Sequence, residues 1–145
     1  MSQTIQIAPE DRLLITRIDG LVTTEDVIDS FDRAVADPAF DPSFDDLVVE
    51  GPDCDLSHLT ADVIPRIVAA HDAALQAHPR FVGAYCRTAV LTQPTVNRPL
   101  LALMTALWET HGAVVDDMKI CATLEEASAW LDRPAERLRA LIDAA

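Results

Sequence analysis

The sequence predicts one α/β domain over residues 1–145, built on a mixed, mostly parallel sheet of about five strands. An N-terminal hairpin and flanking helices complete the order ββαβαβαβαα. Three observations carry this reading. Short apolar, β-branched runs alternate along the chain with segments whose apolar residues recur every 3.6 positions. One run, Leu47-Val48-Val49, does not alternate, which marks a strand covered on both faces and therefore central. Two strand-to-helix junctions, at Thr23 and Thr123, carry the chemistry of helix N-caps.

Each element follows in turn. Ile5 and Ile7 alternate with polar residues, and Ala8-Pro9-Glu10-Asp11 makes a turn with proline at its second position. Leu13 to Ile18 returns as the second strand of a hairpin, closed by Asp19-Gly20. Thr23 is the expected N-cap of the first helix, with Val22 and Val27 in the two places of a hydrophobic staple. Val27, Ile28, Phe31, Ala34 and Val35 form its stripe, and Asp37-Pro38 stops it. Residues 45–50, bounded by Gly51-Pro52, are the central parallel strand.

Thr60 or Ser57 begins a second helix with Val63, Ile64, Ile67, Val68, His71, Ala74, Leu75 and His78 down one face. Pro65 lies just past its first turn, so this helix starts late or bends there. Residues 82–92 form the fourth strand. Asn97 or Thr95 caps a third helix carrying Leu100, Leu103, Met104, Leu107, Trp108 and His111, ended by Gly112. Met118, Ile120 and Ala122 then alternate with Lys119 and Cys121 as a fifth strand. It feeds a helix in which Thr123 and Glu126 stand at capping-box spacing and Ala127, Trp130 and Leu131 share a face. Asp132-Arg133-Pro134 opens a last short helix to about Asp143.

Composition bounds the function. Half of the residues are apolar but only 5% are aromatic, so Ala, Val, Leu and Ile must fill the core. A chain of 145 residues buries about two thirds of the surface its unfolded form exposes. There is no run of 18 apolar residues and no basic-then-apolar leader pattern at Met1-Ser2-Gln3-Thr4, so a cytoplasmic protein without a membrane span is expected. Cys54, Cys86 and Cys121 are odd in number and lack a Cys-x-x-Cys pair, which fits a reducing compartment and excludes a zinc knuckle. The net charge of −13 is concentrated early: residues 1–62 hold 15 acidic and 3 basic side chains, the remainder 9 and 8. Such a field repels phosphates and argues against nucleic acid and anionic membrane surfaces as partners.

Several segments are similar to those of a bacterial family. Ile18-Asp19-Gly20 with Thr23-Thr24-Glu25-Asp26, then Asp37-Pro38-Ala39-Phe40-Asp41-Pro42, then Glu126-Ala127 and Trp130-Leu131 resemble the STAS domain, with its SpoIIAA-like and STAS/SEC14-like relatives. The resemblance spans roughly residues 4–131. It implies a SpoIIAA-like fold and a non-catalytic regulatory or protein-interaction role of the anti-sigma-factor-antagonist type. Its SEC14-like side implies a small-molecule or lipid-binding domain instead. STAS domains carry a phosphorylatable serine at a helix N-terminus within an Asp-Ser-Ser-Gly-like motif. This chain has Asp55-Leu56-Ser57-His58-Leu59-Thr60 there, so Ser57 is the positional match for phosphorylation while also standing as a candidate N-cap.

Catalytic and metal chemistry find little footing. Asp53-Cys54-Asp55-Leu56-Ser57 opens like a calcium loop, but His58 stands where glycine is needed and Ile64 where a bidentate glutamate should be. His71 and His78 share a helix face about 10 Å apart, too far for one ion. Each is expected as a half-buried histidine with a backbone or carboxylate partner. Ser57-His58 lies in no nucleophile elbow, and only four glycines occur, none clustered into a phosphate loop. Cys86 and Cys121 read as buried mid-strand thiols, and Asp53 and Asp55 would disfavour a Cys54 thiolate. No catalytic residue, metal or cofactor is therefore expected. His58 is the one acid–base candidate.

Open α/β sheets engage ligands at the carboxyl ends of their parallel strands. Those ends carry Asp55, Ser57, His58 and Thr60, then Gln93, Thr95, Asn97 and Arg98, which form the expected surface for a protein partner or a small apolar ligand. The last helix sets Leu138, Leu141 and Ile142 beside Arg133, Arg137 and Arg139. It is suited to dock on an acidic surface, either its own or that of a second copy in a homodimer.

Overall fold

The hairpin that opens the chain sets the frame for everything after it. In the computed structural model, which describes residues 3–77, 85–92 and 115–144, β1 (Gln3–Ala8) pairs antiparallel with β2 (Leu13–Ile18). Pro9–Asp11 forms one turn of 3-10 helix between them, and Arg12 leaves it at φ 51°. β3 (Asp45–Glu50), β4 (Tyr85–Leu91) and β5 (Val115–Cys121) then add in parallel, each beside its predecessor, giving a five-stranded sheet in the order β1-β2-β3-β4-β5. β3 is the middle strand, as its unbroken apolar run predicts.

Because strand order steps one way throughout, right-handed crossovers place their helices on one face. α1 (Thr24–Ala36) and α2 (Ile64–Gln76) both lie there. α1 buries Val27, Ala34 and Val35, and α2 buries Ile64, Ile67, Val68 and Leu75, against Leu14, Val48 and Val90 of the sheet. The opposite face of the sheet presents Leu13, Ile15, Leu47, Ala89 and Cys121 to α3 (Leu124–Leu131) and α4 (Ala135–Ala144). Period-2 alternation thus divides the core into two halves. The third helix expected between β4 and β5, with its caps Asn97 or Thr95 and the stripe from Leu100 to His111, lies outside the described residues, as does His78.

Local signals explain the junctions. Thr23 Oγ1 accepts from the Asp26 N–H at 3.2 Å, and Asp26 Oδ2 accepts from the Thr23 N–H at 3.0 Å, a complete capping box. Val22 and Val27 meet in one buried cluster, completing the staple. Thr23→Ala is expected to cost about 1 kcal/mol of stability, read as a lower urea midpoint at unchanged slope. An unchanged midpoint would show that packing alone holds the start of α1.

Two expectations need correction. At α3, Thr123 Oγ1 accepts from the Glu126 N–H at 3.2 Å, but the Glu126 carboxylate reaches the Ala122 N–H at 2.9 Å, one residue short of a reciprocal box. At α2, neither Ser57 nor Thr60 is the N-cap. Val63 is, without a side-chain bond, and Pro65 stands in the first turn, where its missing N–H leaves no bond unmade. Ser57 and Thr60 are engaged locally: the Ser57 N–H donates to Asp55 Oδ1 at 2.9 Å, and the Thr60 hydroxyl donates to Asp62. Side-chain turns of this kind compete with helix formation, so α2 starts late.

The C-terminal helix docks on its own domain. Leu138 and Leu141 are buried in the core, and Ile142 packs beside them. The Arg137 guanidinium grips the Asp11 carboxylate at 2.7 and 2.8 Å and holds its pKa below the usual range. Arg133 donates to the backbone carbonyls of Asp11, Arg12 and Leu131 and to Asp45 Oδ2 at 2.7 Å. These contacts are all within the chain.

Candidate functional site

The two polar interruptions of β3 decide what lies between the sheet and its first helical layer. Asp46, Val48 and Glu50 alternate onto the face that α1 and α2 cover. Asp46 lies between Leu14 of β2 and Thr88 of β4 in the register, and Val48 between Thr16 and Val90. The Thr16 hydroxyl donates to the Asp46 carboxylate, 2.9 and 3.1 Å from its two oxygens. Thr16 and Thr88 are buried, whereas Asp46 is half-buried.

Above this row the helices do not close completely on the sheet. A cavity of about 200 Å³ remains, running from Phe40 and Phe44 past Leu14, Val48 and Val90 to Leu56 and Leu59. Its described walls are mostly apolar. Its described polar lining is Gln3, Thr16, Asp46, Glu50, His71, Asp72, Cys86 and Thr88. Phe31 stands at the centre of the helical side, edge-on to Phe40 with ring centroids 6.1 Å apart and tilted against His71 at 3.7 Å.

His71 is more enclosed than the half-buried histidine expected from the sequence, with 7% of its surface exposed. Burial pushes its pKa down to about 3, only weakly opposed by the Val27 backbone carbonyl beside it, so the imidazole is neutral at physiological pH. The ring belongs to the wall of the cavity as an aromatic surface, continuous with Phe31.

The expected partner surface falls elsewhere. Asp55, Ser57, His58 and Thr60 are all exposed, on the loop between β3 and α2, while Leu56 and Leu59 between them turn inward to the cavity. This loop is anchored at the carboxyl end of β2. The Val22 N–H donates to the Asp55 carbonyl and the Asp55 N–H to the Gly20 carbonyl, while Asp19 Oδ1 accepts from the N–H groups of Gly20 and Asp53. Gly20 has φ +65°, and a Cβ on Gly51 would collide with the Asp19 side chain, so both positions favour glycine. Gln93, Thr95, Asn97 and Arg98 lie outside the described residues.

Cys86 is half-buried and not buried as expected, and the thiols of Cys54 and Cys121 are both held in the neutral form. Cys54 is raised to about 11, chiefly by burial and then by the charges of Glu50, Asp19 and Asp55, so desolvation and not the neighbouring Asp53 is the leading cause. Cys121 is buried and likewise raised by burial. Among the described residues, no three His, Cys, Asp or Glu side chains are placed to hold a metal, and no helix is long and apolar enough to cross a membrane.

The stripes of the second and third helices, with Met104 and Trp108, suggest a pocket from sequence alone. The second helix does line the cavity with Val68, His71 and Leu75, while Met104 and Trp108 lie outside the described residues; the polar row was missed. Strand parity in β3 was the available signal, since Asp46 and Glu50 share a face with Val48. Comparison with protein-family models, with curated proteins and with solved structures finds no match.

Proposed function

We propose that this domain binds a small, predominantly apolar molecule between its sheet and the layer formed by α1 and α2. The observation that carries the reading is the cavity of about 200 Å³, walled by large apolar side chains and bearing a few fixed polar groups. That combination is what small-molecule sites share: apolar area supplies affinity, and a few placed polar atoms set orientation. An engineered apolar cavity of about 150 Å³ takes benzene, so an occupant of about six to ten heavy atoms is the right size. The SEC14-like side of the family resemblance supports the same reading.

The test fills the space. Val48 lies mid-strand on the cavity face, so Val48→Phe places a ring where the ligand would sit. Neutral aromatic probes such as indole and 2-phenylethanol are expected to bind the wild-type chain in ligand-observed NMR. In Val48→Phe their binding should fall at least tenfold, with the urea midpoint held within about 1 kcal/mol of wild type because the added volume has room. Equal binding by both proteins would place the probes elsewhere. No binding by either would sink the proposal.

A STAS-like regulatory domain that engages a protein partner is the second reading. Two features favour it: the sequential strand order with one antiparallel N-terminal strand, and the exposed Ser57 on a loop anchored at the carboxyl end of β2. It requires phosphate on Ser57 in protein isolated from its host, or a partner whose capture depends on Ser57→Asp. Mass spectrometry that finds Ser57 unmodified, with the same proteins captured by both forms, would argue against it.

A further inference from the structure

Part of the cavity wall is built from aromatic rings, and a repeated turn sets two of them. The connection from α1 to β3 reads Asp37-Pro38-Ala39-Phe40 and then Asp41-Pro42-Ser43-Phe44, the same Asp-Pro-x-Phe unit twice. In each unit the aspartate Oδ1 accepts from the N–H two residues on, at 2.8 and 2.9 Å, and its carbonyl accepts from the phenylalanine N–H at 3.0 Å. Aspartate suits the first place of such a turn and proline the second. Each unit therefore closes on itself and ends on a phenylalanine, and both Phe40 and Phe44 are buried and line the cavity. Arg12 fixes the second unit: its Nη2 donates to Ser43 Oγ at 3.2 Å, and its guanidinium lies 5.5 Å from the Phe44 ring centre.

Phe31 of α1 lines the same space, and its ring stands at 89° to that of Phe40. A flat guest lying parallel to one of these rings is therefore edge-on to the other, and aromatic quadrupoles attract in both arrangements. A saturated ring of the same outline has no quadrupole to align, although by burial of apolar area alone it would bind at least as well. We propose that the cavity selects planar aromatic rings over saturated ones, and that Phe31 and Phe40 are the residues that distinguish them. This rests on the cavity being a ligand site and adds the chemical class of the ligand's body. Because the paired turns hold Phe40 in place before the ligand arrives, little side-chain freedom remains to be lost on binding.

The test compares 2-phenylethanol with 2-cyclohexylethanol, which differ only in ring saturation, by calorimetry on the whole wild-type chain. The phenyl compound is expected to bind about tenfold more tightly. In Phe40→Leu, which keeps an apolar side chain but removes the ring, the two affinities should come within about twofold of each other, chiefly through weaker phenyl binding. Should that variant fail to fold, the ring protons of bound 2-phenylethanol should still show nuclear Overhauser contacts to the Phe31 and Phe40 rings of the wild-type protein. Equal affinities in the wild type, a tighter cyclohexyl compound, a preference that survives Phe40→Leu, or an absence of contacts to both rings would overturn the aromatic assignment and leave the cavity reading standing. Failure of both alcohols to bind would overturn both.

Discussion

Replacing Asp45 by alanine is expected to lower stability by about 3 kcal/mol. The Asp45 carboxylate is 10% exposed and draws three donors together. Arg133 Nη1 lies 2.7 Å away, Arg87 Nη2 lies 3.3 Å away, and the Arg87 N–H of the neighbouring strand donates at 2.8 Å. Through Arg87 and Arg133 it ties the start of β3 to the end of α3, because both guanidiniums also donate to the Leu131 carbonyl and Arg87 to that of Trp130. Removing the anion leaves two partly buried cations facing each other. Their carbonyl partners remain, which keeps the cost below that of stripping a fully buried charge.

At about 3 kcal/mol the melting temperature of a domain this size should fall by about 10 °C. Arg133→Ala should cost less, since Asp45 keeps Arg87, and an exposed ion pair such as Arg66–Glu25, 3.1 Å apart, should be worth under about 1 kcal/mol. If Asp45→Ala unfolds within 1 kcal/mol of wild type, the cluster is no stronger than a surface pair. The docking of α4 would then rest on Leu138 and Leu141 and on the Arg137–Asp11 pair.

How far this architecture could be read from residues depends on how local the deciding contact is. Thr23, Asp26, Val22 and Val27 decide the start of α1 among themselves, within six positions, and the spacing alone identifies them. The centrality of β3 was legible because Leu47-Val48-Val49 leaves no polar face. That same reading concealed the site: calling the strand unbroken hid that its flanking carboxylates, Asp46 and Glu50, share parity with Val48. Recognising a polar row requires Thr16, whose bond to Asp46 spans 30 positions, and Thr88 from another strand. No local pattern announces such a contact.

The start of α2 failed for the opposite reason, an excess of plausible local signals. Ser57 and Thr60 have the chemistry of caps, but Asp55 and Asp62 capture them in turns first. Asp45 was visible only as a strand boundary, because its partners Arg87 and Arg133 come from distant parts of the chain. The docking of the last helix was legible as an apolar and basic face. Its intrachain partners Asp11 and Asp45 lie more than 80 positions away and were not legible.

Between pH 6.5 and 5, His71 is expected to cost the wild-type chain about 2 kcal/mol of stability that a His71→Phe variant does not lose. Its pKa in the folded protein is pushed down to about 3, well under the 6.5 of an exposed histidine, because the ring is enclosed between α1 and the sheet and packed on Phe31. The unfolded chain therefore takes up a proton that the folded chain refuses. Above pH 6.5 neither state is protonated and the histidine contributes fully. Below it, stability falls by about 1.4 kcal/mol for each pH unit until the folded-state pKa is reached. Many carboxylates titrate over part of the same interval, and relief of a net charge of −13 acts the other way, so the absolute curve mixes several groups. The difference between wild type and His71→Phe isolates the ring. Urea unfolding at pH 7 and at pH 5 should give two stability gaps that differ by about 2 kcal/mol in favour of the variant at the lower pH. A gap that does not change with pH would mean that the imidazole takes up its proton in the folded state, and that α1 and α2 admit water to it.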